Sequence, residues 1–131
     1  MPNITYRFRV VAFIAVFVTC ASFLSGSAIA TDAIQARKDI KDLRLEYSGQ
    51  EFAKAAGNGD MTAVQLFLDA GMDVNAGASA AIGLAAGRGK KTMVLFLLSK
   101  GATPTSSALQ YARTRGYQDI EKILADAGAK E

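Results

Sequence analysis

The stretch AAGNGDMTAVQLFLDAGMDVNA, residues 55–76, decides the fold. Two short apolar runs of helical spacing are separated by Gly57-Asn58-Gly59-Asp60, and the second stops at Gly71. Glycine, and less readily asparagine, takes the left-handed conformation that turns a chain out of a helix. Asp60 is placed to cap the helix that follows, whose Val64, Phe67 and Leu68 point inward. Upstream, Ser48-Gly49-Gln50-Glu51 fits a capping box, so the first helix of the pair starts there and runs through Phe52, Ala55 and Ala56. The unit is helix, tight turn, helix, glycine stop.

The unit recurs. Residues 52–71 laid over residues 82–101 match at eight of twenty positions, including both alanines, both turn glycines, Val64 with Val94 and Leu68 with Leu98. A third, looser copy at residues 109–128 keeps Ala112, Gly116 and Gly128, with Leu124 displaced by one place. The step from turn glycine to stop glycine is twelve residues each time: Gly59 to Gly71, Gly89 to Gly101, Gly116 to Gly128. A fixed internal distance inside degenerate sequence is the mark of a repeated helical hairpin.

These three copies resemble ankyrin repeats, over about 80 residues from Ser48 to Ala129. The resemblance implies an all-α ankyrin-type solenoid, with repeats near residues 48–76, 78–105 and 106–131 forming one domain over 48–131. It also departs from the family. The Thr-Pro-Leu-His opening is missing from every copy, and the spacing is 30 and then 27 residues where about 33 is usual. The shortening falls in the segment that ordinarily forms a β-hairpin finger. A stunted finger is expected at Met72–Ala80 and little more than a turn at Ala102–Ser107, so the fingers are short or absent.

Repeat stacks need end units whose outer face tolerates water. In the third copy Glu121 stands where Val64 and Val94 stood, and Asp119, Lys122 and Asp126 stud the same helix. At the other end, residues 31–47 read as an amphipathic capping helix with Ile34, Ile40, Leu43 and Tyr47 near one face and Asp32 as N-cap.

The first nine residues carry two charges, Arg7 and Arg9; 22 uncharged residues follow from Val10 to Thr31, with Ser-Ala-Ile-Ala just before Thr31. A basic start, an apolar middle and small residues at Ala28 and Ala30 describe a secretory signal peptide over residues 1–30, cut before Thr31. Three other readings compete: an uncleaved membrane anchor, a buried core helix, and a lipoprotein linkage at Cys20. Export of this style points to a Gram-negative periplasm.

Of 15 basic and 12 acidic residues, two basic ones lie in residues 1–30, which leaves 13 − 12, or +1, for the remainder. Residues 31–75 carry five positive and eight negative side chains, and residues 76–131 carry eight and four. Such a surface is polarised and lacks the overall basic excess of a nucleic-acid binder. Histidine is absent and Cys20 is the sole cysteine, so past the leader the common bases, thiol nucleophiles and soft metal ligands are missing. The carboxylate pairs Asp69 with Asp73 and Asp39 with Asp42 fit capping and solubility, and "GNGD" and "GRGK" lack the strand, the longer loop and the Lys-Ser/Thr of a P-loop. The expectation is a protein without catalysis, metal or cofactor.

The ankyrin resemblance implies binding of another protein through a concave face made by the inner helices and the turns after them. Matched by position, that face holds Lys54, Gly57 and Asn58, then Leu84, Gly87 and Arg88, then Tyr111, Thr114 and Arg115. Arg113 lies beside the last set, and Lys90 and Lys91 follow Arg88. A basic patch with one tyrosine suits a partner with an acidic surface. Each cation taken alone better fits a solvated residue near a helix C-terminus, and it is as a group on one face that they point to binding. The expected role is stoichiometric binding that supports or regulates an envelope protein, such as an enzyme handling oxidative stress. The alternatives are an immunity protein neutralising a toxin, or a membrane-anchored scaffold if the leader is uncut; only that leader would touch membrane.

Overall fold

The computed structural model describes the backbone of residues 25–130 and the side chains of residues 31–130. Residues 1–24, which hold most of the expected leader together with Cys20, lie outside the described residues. Among the described residues there are seven helices and no strand. They are α1 (Ser25–Asp42), α2 (Gly49–Asn58), α3 (Met61–Asp69), α4 (Ala76–Gly87), α5 (Lys91–Ser99), α6 (Ser106–Thr114) and α7 (Gln118–Asp126). No helix among them is long and apolar enough to cross a membrane.

The twelve-residue glycine step has a backbone cause. In each hairpin the inner helix ends with two bonds: the N–H after the turn glycine reaches back five residues, and the glycine N–H reaches back three. For α2 these are Asp60 N to Ala55 O at 3.0 Å and Gly59 N to Ala56 O at 3.1 Å. Lys90 and Gly89 repeat the pattern onto Ala85 and Ala86, as do Tyr117 and Gly116 onto Ala112 and Arg113. The outer helices close in the same way, with Met72, Ala102 and Ala129 bonding Phe67, Leu97 and Leu124 at 2.9 Å each. These are six Schellman motifs, and each requires a residue of positive φ, which glycine provides. Asp60, Lys90 and Tyr117 each close one helix and open the next, so the turn contains no spare residue.

The inner helices α2, α4 and α6 pack on one another in chain order, with α1 against α3 and α7 against α5. Alanine makes this close packing feasible: Ala53, Ala55, Ala56, Ala81, Ala85, Ala86, Ala108 and Ala112 are all buried. It is also the residue that favours a helix most. The outer helices contribute Ala63, Val64 and Phe67, then Met93, Val94 and Leu97, then Ile120 and Leu124. Leu124 therefore stands in register with Phe67 and Leu97, which accounts for its displacement by one place from Leu68 and Leu98. Leu68 and Leu98 are only partly buried. Phe52 meets Phe67 edge-on, with centroids 6.0 Å apart, a geometry worth about 0.5–1.5 kcal/mol beyond burial.

The N-terminal cap differs from the sequence expectation in three ways. Helix α1 begins at Ser25, so Asp32 lies in its interior and caps nothing. It ends at Asp42, after which Arg44 takes a φ of 56° and turns the chain away. Its buried residues are Ala36 and Ile40, while Ile34 is 70% exposed and Leu43 59% exposed. A four-residue step from Ala36 to Ile40 keeps to one helical face, whereas Leu43 falls beyond the helix end and escapes that periodicity. Tyr47, outside the helix, reaches its target from the loop. Its hydroxyl donates to Ala70 O at 3.3 Å, Arg37 Nε donates to the same carbonyl at 3.0 Å, and the Arg37 guanidinium lies 5.5 Å above the Tyr47 ring. The carbonyl at the end of α3 thereby gains two donors and a cation near its negative pole.

Neither finger is a hairpin. From stop glycine to the equivalent inner-helix position, Gly71 to Ile82 against Gly101 to Leu109, the first path is three residues longer, and three consecutive residues absorb the excess. Gly77, Ala78 and Ser79 have φ of 67°, 57° and 61°, one turn of left-handed backbone at the start of α4. That turn lies on Gly49, where an added Cβ would stand 3.2 Å from Gly77 N. Asn75 fastens the loops together: its Oδ1 accepts the Thr103 N–H at 2.8 Å and the Ser79 hydroxyl at 3.2 Å. The Ser48 capping box is half formed. Ser48 Oγ accepts from Glu51 N at 3.3 Å, but the Glu51 carboxylate turns to Lys54.

Candidate binding face

Positions one repeat apart form rows across the inner helices. The first row is Lys54, Leu84 and Tyr111, and the second, one helical turn later, is Asn58, Arg88 and Arg115. Between them run Gly57, Gly87 and Thr114. The two glycines are buried and line no surface. A Cβ on Gly57 would meet Leu84 Cβ at 3.1 Å and Arg88 Nη1 at 3.3 Å, and one on Gly87 would meet Tyr111 Cβ at 3.4 Å. Each bulky residue thus lies back over the glycine of the preceding repeat. The shelf lets Tyr111 lie flat while remaining 51% exposed.

Arg88 Nη1 donates to Asn58 Oδ1 at 2.6 Å, which ties the first repeat to the second and fixes the guanidinium in place. One hydrogen bond to a neutral amide leaves the positive charge uncompensated. Arg115 follows α6 as its C-cap residue and is exposed; its counterpart one repeat back is Arg88, where Arg88 itself has Asn58. Lys90 lays its stem over Gly59, with Cδ 3.2 Å from where a Cβ would stand, and keeps its ammonium in solvent. Among the described residues, no carboxylate lies within ion-pair distance of Arg88, Lys90 or Arg115.

The other expected binding residues have partners within the chain. Lys54 pairs with Glu51 on its own helix. Lys91 opens the outer helix α5 and pairs with Asp119 of α7 at 2.9 Å. The Lys91 hydrogen bond and then its charge, helped by Lys122, hold the Asp119 carboxyl below the ordinary aspartate range. Arg113 turns from the face altogether, its Nε donating to Glu121 Oε1 at 2.8 Å. Thr114 Oγ1 donates back to Gln110 O at 2.8 Å. The bonds Asn58–Arg88 and Lys91–Asp119 span 30 and 28 residues. Those separations are close to the repeat period, and that was the signal from which both could have been read.

On the opposite side, α1 and α3 enclose an open groove of about 540 Å³ lined by Asp32, Gln35, Asp39, Leu66, Leu68 and Asp69. Two of its three carboxylates are engaged locally: Asp39 accepts from Gln35 at 2.8 Å and Asp69 from Gln65 at 2.7 Å. Among the described residues no group of carboxylates is arranged to hold a metal ion. Asp73 accepts the Asn75 N–H at 2.8 Å and so shapes a turn. Both expected carboxylate pairs thus include a residue with a structural bond.

The family model for ankyrin repeats, in three copies, matches residues 52–131. No curated protein and no solved structure matches the chain. Ankyrin stacks are scaffolds for protein–protein interaction, with the inner helices on their concave side. Three hairpins closed by six like Schellman turns, with alanine-packed inner helices and a family match over most of the chain, place this protein in the ankyrin-repeat family.

Proposed function

We propose that this chain is an exported, periplasmic binding module without catalytic activity, which holds an acidic surface of another protein against its concave face. The observation that carries the reading is the half-exposed Tyr111 on the inner helices that also carry Arg88 and Arg115 at their ends, with Lys90 in the turn after Arg88, three cations with no ion-pair partner among the described residues. Aromatic and arginine side chains are those that dominate binding energy at protein interfaces. An uncompensated positive face speeds encounter with an acidic partner.

Export rests on the leader-like residues 1–30. Ala28, Ala30 and Thr31 lie within the first two turns of α1. Removal of residues 1–30 would leave Ala36, Arg37 and Ile40 to cover the first repeat, so the cap survives maturation. Intact-mass measurement of the exported protein tests this directly: a chain starting at Thr31 supports cleavage, and a full-length chain in the membrane fraction supports the anchored scaffold.

The binding role is tested by affinity capture from the source cells, using the chain tagged at its C-terminus beside an Arg88→Glu/Arg115→Glu variant. One stoichiometric protein held by the first and lost by the folded second supports the reading. A partner with its own export signal favours support of a resident envelope protein, and a toxin favours immunity. A partner held equally by both variants removes the basic face from the account.

A further inference from the structure

The geometry points to the form of the acidic element that the face takes, an inference that rests on the binding role proposed above. We propose that it is a polyproline-II segment with carboxylates three residues apart, lying across α4 and α6. Two rows at the repeat spacing carry the argument. Arg88 and Arg115 make a cationic row, and Leu84 with Tyr111 makes an apolar row one helical turn away on the same helices. Each cation follows its apolar partner by four residues, so the two rows share a face and lie about 6 Å apart along the helix axes.

Packed helices stand about 8–10 Å apart, which sets the spacing along each row. A β-strand does not match it, because residues three apart point to opposite faces and residues two apart span only about 6.8 Å. A polyproline-II chain does, because it repeats every three residues and rises about 9.3 Å per turn. Side chains at i and i+3 then meet Arg88 and Arg115, those at i+1 and i+4 meet Leu84 and Tyr111, and the third edge faces water. The face is built for a preformed ligand. Gly57 and Gly87 let the row residues lie flat, and Asn58 holds Arg88 through one of its five N–H donors, leaving others for a carboxylate. Tyr111 offers a flat ring to a proline, the usual partner of aromatic grooves.

The test titrates the exported protein with a fluorescent peptide of four Glu-Pro-Ala triplets. A second peptide of identical composition has its glutamates moved to alternate positions. The proposal predicts saturable one-to-one binding of the first, weaker by about tenfold for the second, and by at least that for Arg115→Ala or Tyr111→Ala. The Arg115 side chain makes no bond among the described residues, and its backbone bond to Arg113 O survives truncation, so the fold stays intact, which circular dichroism checks. Equal binding of both peptides overturns the proposal in favour of unspecific charge attraction. So does binding that neither variant weakens. No binding of either peptide, by a protein whose captured partner still depends on Arg88 and Arg115, also overturns it and leaves the binding role standing. Loss of that dependence removes both.

Discussion

Arg113 Nε donates to Glu121 Oε1 across 2.8 Å, at the two positions where the earlier repeats place Ala56 with Val64 and Ala86 with Val94. The apolar pair buried in the first two copies has become an ion pair in the third of the three matched repeats. It leaves the outer face of the third repeat polar, as a face in contact with water requires. Both side chains are partly exposed, so the pair adds little stability, and its value lies in keeping the end face polar.

Replacing that pair with Arg113→Ala/Glu121→Val therefore changes stability by less than about 1 kcal/mol but exposes an unfinished repeat face. Sedimentation velocity is expected to show concentration-dependent self-association of the double variant and none of the parent. A monomeric double variant would deny the capping role.

Gly89 and Gly116 occupy equivalent turns with φ of 69° and 75°. An alanine at Gly116 meets nothing and costs about 1 kcal/mol for its left-handed backbone. An alanine at Gly89 meets the Tyr117 ring at 2.8 Å, which adds about 1–3 kcal/mol. Chemical denaturation of the two variants should rank them in that order. Equal losses would mean that Tyr117 moves aside freely.

Ala78 sits in the left-handed turn with φ of 57° and is exposed, so only its backbone is at issue. Ala78→Gly is expected to raise stability by about 0.5–1 kcal/mol, against the usual loss on adding a glycine. Thermal unfolding reads the sign.

Asp119 titrates below the ordinary aspartate range because Lys91 bonds and faces it. A depressed folded value means that the contribution is present above the ordinary range and is lost as pH falls through the folded value. Carboxyl NMR titration should find the low midpoint, and Lys91→Ala should move it up toward the ordinary range. The group is fully exposed, so the effect on global stability is small.

The parts legible in the sequence are those where backbone geometry demands one residue type. Gly59, Gly89 and Gly116 read plainly because a Schellman turn needs positive φ, and the buried alanines because the inner helices need close approach. The face of α1 did not read, since Ile34 lies about 120° around the helix from the buried Ile40 and Leu43 falls past the helix end. The one-place shift of Leu124 read correctly, but its reason did not, because leucines occupy both the buried position of Leu97 and the half-buried one of Leu98, and only packing tells them apart. The left-handed turn at Gly77, Ala78 and Ser79 carries alanine and serine where propensity argues for glycine. Of the candidate face, Tyr111, Arg88 and Arg115 followed from repeat register. The pairing of Arg113 with Glu121 needed the third dimension, although both stood out as breaks in the pattern.

The most direct test of binding through the inner-helix face is site-specific photo-crosslinking in the source cells. The probe residue replaces Tyr111 on that face or Leu95 on the outer helix α5, side chains exposed to a similar degree, 51% and 48%. The account predicts one protein adduct of defined mass at Tyr111 and none at Leu95. An adduct at Leu95 with none at Tyr111 would contradict it.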